Sequence, residues 1–272
     1  MRIAIVCSKA DQASMTIRAA LLELYPFSET ADRFEGNPVH TLNPDVRLYT
    51  ADTRSIYCEN LDKQIEADLF IFATKHEAKS GIPSLSVHTQ GNWDKAELGG
   101  KERQLGISPA LYLKEGLKKL DEWGTEMKVQ GFDVIEECTH HGPYLEKPSM
   151  FIEIGSTEKQ WLDIEPAKVI ARVIQHLATT EPPKCRTAVG IGGPHHTPNF
   201  KKIILGPDIA IGHVCPKYML PHLDREMLEQ AIKKTVPAPD LIILDWKGLD
   251  SKEKLMETLR DIGLEVKRTK DF

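Results

Sequence analysis

At 272 residues, with 41% hydrophobic and 28% charged side chains, the chain has an ordinary globular composition and enough apolar material for a substantial core. A formal net charge of −5 excludes a whole-molecule field that attracts nucleic acid, so any such site must be a local basic patch. No apolar run approaches the ~20 residues of a membrane span, and the apolar start reads as one strand rather than a signal peptide.

Residues 3–7 form the first expected strand. A helix follows over about 11–25, with Asp11 as its N-cap and Met15, Ile17, Leu21, Leu22 and Leu24 as an apolar stripe. Short strands are expected near 27–34 and 46–50. Residues 68–74 are the clearest buried strand, a continuous apolar run that stops just before His76. Another strand at 84–88 ends on His88, and a long helix covers 109–130. A strand at 132–138 runs into His140-His141, and one at 150–154 follows. A helix at 165–179 has Pro166 near its first turn. The strand at 187–191 leads into His195-His196. The remainder reads as strand 209–214, helix 224–234, strand 241–244, helix 251–262 and strand 265–268.

Strands alternating with helices predict an α/β sheet covered on both faces, and the helixless strand-to-strand stretches predict that it is mixed. Without repeats or a clear linker, residues 1–272 read as one domain, a three-layer α/β/α sandwich. Five scattered cysteines, never spaced C-x-x-C, argue against disulfides and an all-cysteine zinc site and fit a reducing cytoplasm.

The two His-His pairs carry most of the chemistry. Random placement of 10 His predicts about 0.3 such dipeptides. Ligands of open α/β sheets bind beyond the carboxyl ends of strands, and His76, His88, His140/His141 and His195/His196 each follow one. If those strands are parallel neighbours, the imidazoles converge on one crevice, near Glu77, Glu136, Glu137 and Glu153. Neutral imidazole and carboxylate suit zinc, and a remaining carboxylate could serve as general base. Adjacent strand residues face opposite ways, so both members of a pair reach one site only where the backbone turns; otherwise the doublets are ordinary loop residues. The working assignment takes His140, His141, His195 and His196 as metal ligands and His76, His88, Glu137 and Glu153 as proton-handling groups. There is no H-E-x-x-H helix.

Gly190-Ile-Gly-Gly-Pro194 lacks the dinucleotide and phosphate-loop patterns, so no nucleotide cofactor is expected; its glycines more simply permit close backbone approach. Ser80-Gly81 and Thr89-Gln-Gly-Asn92 are polar turns near the crevice, and Gln90 or Asn92 could donate to an oxyanion or ribose. Lys201/Lys202 are the first candidates for phosphate contact, with Lys101/Arg103 next; most other basic pairs have acidic neighbours.

Five segments together resemble the archaeal/plant-type D-aminoacyl-tRNA deacylase family: Ala73-Thr-Lys-His-Glu-Ala-Lys-Ser-Gly-Ile82, Ser86-Val-His-Thr-Gln-Gly-Asn-Trp93, Glu137-Cys-Thr-His-His-Gly-Pro143, Phe151-Ile-Glu-Ile-Gly-Ser156 and Gly190-Ile-Gly-Gly-Pro-His-His-Thr-Pro198. The resemblance implies hydrolysis of the ester between a D-amino acid and the tRNA 3′ end, a zinc ion, and a three-layer fold like those of phosphorylases and peptidyl-tRNA hydrolases. It carries over to His76, Ser80, Gly81, His88, Gly91, Asn92, His140, His141, Glu153, His195 and His196, while Glu77 departs from the pattern. A tRNA substrate would give Trp93 a role in stacking the terminal adenine, with core packing as the alternative. A monomer is expected. The competing readings are a zinc amino- or carboxypeptidase or amidohydrolase, a nucleoside phosphorylase-like enzyme, and a non-enzymatic tRNA-end or metal-binding protein.

Overall fold

The structure is a computed structural model that describes residues 1–247, 249 and 252–272. Its first half runs β1 (Ile3–Ser8), α1 (Gln12–Leu24), β2 (Ser28–Phe34), β3 (Asn37–Asn43), β4 (Val46–Ala51), α2 (Leu61–Gln64), β5 (Leu69–Lys75), β6 (Ser84–His88), β7 (Ser108–Pro109), α3 (Ala110–Glu126) and β8 (Asp133–Glu136). Then come β9 (Ser149–Gly155), α4 (Glu158–Trp161), α5 (Ile164–Thr179), β10 (Arg186–Gly192), α6 (Pro198–Leu205), β11 (Ile209–Cys215), α7 (Arg225–Lys233), β12 (Thr235–Val236), β13 (Leu241–Asp245), α8 (Lys252–Thr258) and β14 (Glu265–Arg268).

The predicted mixed sheet is present. Eight strands lie in the order β2-β3-β4-β1-β5-β9-β6-β8, with β9 parallel to β5 and antiparallel to β6. The later strands form their own parallel ladder, β11-β10-β13-β14, and β12 pairs with β7. One apolar cluster serves both larger sheets: Ile71, Val87 and Ile152 share it with Leu21, Leu117 and Ile170 of α1, α3 and α5, and with Ile211 and Ile243. Alternation along the strands then decides what faces away. On β9, Met150, Ile152 and Ile154 belong to this cluster, which leaves Phe151 and Glu153 on the other face; on β6, Leu85 and Val87 do the same for Ser86 and His88.

Asp11 caps α1 as expected, accepting from Ser14 N at 3.0 Å. Its other oxygen accepts from Thr74 Oγ1 and Lys75 N, which ties the start of α1 to the end of β5. α3 stops at Glu126, short of the expected 130, because Lys128 adopts a left-handed φ of 57°. Several elements escape the periodicity: the short α2, β7, α4 and β12, the strand β3, and α6, whose eight residues start directly after Thr197 with Pro198 in the first turn. The expected helix at 251–262 is found as α8; residue 251 lies outside the described residues. Among the described residues, no helix is long and apolar enough to cross a membrane.

Candidate active site

The histidines do converge, but not at a common carboxyl edge. Because β6 is antiparallel to β9, His88 is level with Phe151, whereas His76 follows Lys75, the partner of Ile154. They meet over the sheet face that carries Glu153. Its carboxylate lies 3.5 Å from His76 Nδ1 and 3.5 Å from His88 Nε2, and accepts from Ser86 Oγ at 3.3 Å. Phe151 stacks on His88 with ring centroids 5.1 Å apart.

Two loops close over this floor. Cys138 N donates to His195 O and Thr197 N to Glu136 O, both at 2.9 Å, so backbone pairing holds one doublet beside the exit of β8. The turn that a doublet requires is present at His141, whose φ is 46°. Both rings of that pair thereby reach His88, with centroids 4.3 Å (His140) and 4.9 Å (His141) away. Gly142 permits the loop's path, since a Cβ there would collide with the backbone of Gly99 and Gly100.

Glu137 is the hub between the loops. Its oxygens lie 3.0 Å from His195 Nε2, 3.1 Å from His76 Nδ1 and 3.8 Å from His140 Nε2. Burial opposes its ionisation, yet His195 and His76 hold it well below the usual carboxylate range. Burial likewise opposes the charge on His76, but Glu137 and Glu153 overcome it and hold its pKa up at about 10. His195 also rises to about 10, against burial, through Cys138 and Glu137. The opposite holds elsewhere. Burial, reinforced by neighbouring imidazoles, pushes His140 well below its ordinary value and His141 down to about 4, and burial lowers His196. Glu136, buried beside Glu137, is pushed well up. One crevice thus holds both charged and neutral imidazoles, the latter being the form that ligates metal.

Among the described residues, three groups of ligand atoms lie within 4.8 Å of one another: His88, His140 and His141; Cys138, His140 and His195; His76, Glu137 and His196. His76 Nε2, His88 Nε2 and Glu137 Oε1 are buried without a well-aligned hydrogen-bond partner. Orphaned buried polar atoms of this kind are costly in a finished structure, and a bound cation would satisfy their lone pairs, so the residues present fit a metal. The four doublet histidines are divided among these groups rather than gathered into one ligand set.

Other expected site residues are placed differently. Trp93 is 2% exposed, packed in an apolar cluster and donating from Nε1 to Thr139 O at 3.1 Å, so it is a core residue and presents no face to an adenine. Asn92 spends its amide on Gly99 O and Lys101 O, which removes it as an oxyanion donor. Gly91 packs against Leu105, and Ser80-Gly81 form a turn in which Ser80 Oγ accepts from Ile82 N at 3.5 Å. Lys201 donates to Val134 O at 2.7 Å, and Arg103 is paired with Asp224 at 2.7 Å, so neither is free for phosphate. Lys101 lies over the Tyr144 ring, and Lys202 is exposed. Glu77 is exposed and paired with Lys75. The glycine-rich segment permits close approach as expected, Gly192 lying against Asp245 O.

Several groups were not singled out in the sequence. Tyr218 OH is 3.0 Å from His195 Nδ1, and Cys138 Sγ is 3.4 Å from the same nitrogen. Trp161 donates to His76 O and lines the roughly 720 Å³ crevice together with Arg54 and Lys75. The Ser86–His88 alternation was the one available signal for the polar face; nothing local announces Tyr218.

Comparison with known proteins supports a family assignment. A family model described as D-aminoacyl-tRNA deacylase matches residues 63–267. The chain is 38% identical to a D-aminoacyl-tRNA deacylase of Thermococcus kodakarensis, covering 97% of this chain and 98% of that protein. It is 36% identical to one of Pyrococcus furiosus, covering 96% and 97%. The crystal structure of a conserved protein of unknown function, AF0625, superimposes with a TM-score of 0.91 at 32% identity, covering 99% and 96%.

Proposed function

The chain belongs to the D-aminoacyl-tRNA deacylase family, and we propose that the histidine crevice hydrolyses the ester of D-aminoacyl-tRNA, releasing the D-amino acid and the tRNA. The observation that carries this reading is the set of buried carboxylates, Glu137 and Glu153, each flanked by imidazoles in one crevice.

His88, His140 and His141 are the residues that would hold zinc, because His140 and His141 are kept neutral while the other two groups include His195 or His76, which Glu137 keeps charged. When bound, zinc supplies Lewis-acid polarisation that an ester, already more reactive than an amide, needs only in modest measure. Glu153 takes one proton from the attacking water. His76, charged between Glu153 and Glu137, returns one to the ribose oxygen as the ester C–O bond breaks, which leaves free amino acid and a 3′ hydroxyl. His195 and Tyr218 orient Glu137. Trp161 at the rim takes the stacking role first given to Trp93.

The test is turnover of matched D- and L-aminoacyl-tRNA beside a dipeptide, with and without chelator. The reading requires hydrolysis of the D-ester. Cleavage of the dipeptide alone would favour a peptidase, and tRNA binding without turnover in metal-replete protein a binding role.

A further inference from the structure

A second groove, of about 1050 Å³, lies apart from the histidines on the parallel ladder. Asp245 and Arg268, the last residues of β13 and β14, open into it, as do α6 and the C-terminal turn Thr269–Asp271. Asp245 is also the register partner of Gly192 at the end of β10. From β10 the chain turns to β11 on one side and later to β13 on the other, so this is a topological switch point, the usual place for a ligand in an open α/β sheet.

The groove's charge is opposite to that of the chain. Among the described residues, Lys202, Lys247, Lys252, Arg268 and Lys270 line it, against Asp208 and Asp245. Among the described residues, none of the five cations is in an ion pair, unlike Lys201 and Arg103. Asp245 is taken up by the Asn199 amide at 3.0 Å. Two of the cations lie over Trp246, Arg268 at 4.4 Å and Lys252 at 5.3 Å from its ring centroid. Five cations without an ion pair among the described residues, two of them over an aromatic ring, on a chain of net charge −5, form the local basic patch that a polyanion needs.

We infer that this groove docks the phosphodiester backbone of the tRNA acceptor arm. The inference rests on the deacylase reading for the identity of the RNA. Its placement supports it: α6 begins two residues after His196, carries Asn199 and Lys202 into the groove, and at eight residues is about 12 Å long, so one short helix joins groove and crevice.

Lys202→Glu combined with Lys270→Glu, both at exposed positions, tests the assignment. Binding of uncharged tRNA, followed across a salt titration, should weaken at least ~10-fold, and the salt slope should shrink by about 2. Lys168→Glu on α5 should leave affinity unchanged. The ratio of kcat/KM on full-length D-aminoacyl-tRNA to that on a D-aminoacyl-adenosine ester should fall by a similar factor. Unchanged affinity and slope, or an equal loss on both esters, would overturn the groove assignment. If the wild-type protein cleaves neither ester but the double variant still loses tRNA affinity, the deacylase reading fails and the RNA groove stands.

Discussion

His195 Nε2 lies 3.0 Å from Oε2 of Glu137, a carboxylate with a fully buried side chain. The same ring reaches Tyr218 OH at 3.0 Å with its other nitrogen, so a residue at the exit of β10 fixes the orientation of one at the exit of β8. A charge so deeply buried is tolerated only because imidazoles surround it, and removing either side of the pair leaves the other unsatisfied.

Glu137→Gln should therefore lower kcat/KM on D-aminoacyl-tRNA by ~100-fold or more, the scale for losing a group that orders a catalytic centre. Single His76→Ala and His195→Ala substitutions should each be severe, and the double should cost much less than their product, since one carboxylate, Glu137, holds both rings in a single catalytic unit. Steady-state kinetics on protein with a checked melting transition decides this. Independent, multiplicative effects would show that Glu137 does not couple the two rings.

Metal content separates the group that holds His141 from the one that holds His196. His140→Ala and His141→Ala should lose zinc by elemental analysis and lose activity with it, whereas His196→Ala should retain the metal while slowing turnover. Chelation of the wild type should abolish hydrolysis, and zinc should restore it. Full activity in rigorously metal-free protein would move the whole reaction onto the Glu153–His76 pair.

Much of this was legible in the sequence. Continuous apolar runs such as residues 69–73 give buried strands, and the doublets beside Gly-Pro mark the loops that close over the site. Two things were not. The direction of β6 depends on which strand it pairs with, a non-local choice that period-2 alternation cannot encode, and that choice put His88 over the sheet face instead of at the edge where His76 leaves β5. The fate of individual polar groups depends on tertiary partners: Asn92 and Lys201 look free in sequence but are consumed by backbone carbonyls, and Trp93 is drawn inside while Trp161 stays at the rim.

The two tryptophans should consequently diverge. Trp93→Ala empties a fully packed site and should cost ~3–5 kcal/mol in chemical denaturation. Trp161→Ala should cost far less stability, yet raise KM for aminoacyl-tRNA several-fold, since base stacking on an aromatic contributes ~1–3 kcal/mol. The opposite ranking, with Trp93→Ala stable and defective in KM, would return the stacking role to Trp93.

His213 gives a pH prediction independent of the crevice. Its ring is wholly buried, with Nδ1 3.2 Å from Thr139 Oγ1 and Nε2 unpartnered, and burial pushes its pKa down to about 3. The unfolded chain titrates this group near 6.5, so between that pH and about 3 the unfolded state holds the extra proton. Stability attributable to His213 is thus fully present above pH ~6.5 and is lost as pH falls, by up to ~1.4 kcal/mol per unit. His213→Gln removes the titration. Denaturant melts from pH 7 down to 4 should show a steeper loss in the wild type than in the variant, whatever offset the substitution adds at neutral pH. Parallel curves would mean that the His213 ring already accepts a proton inside the fold.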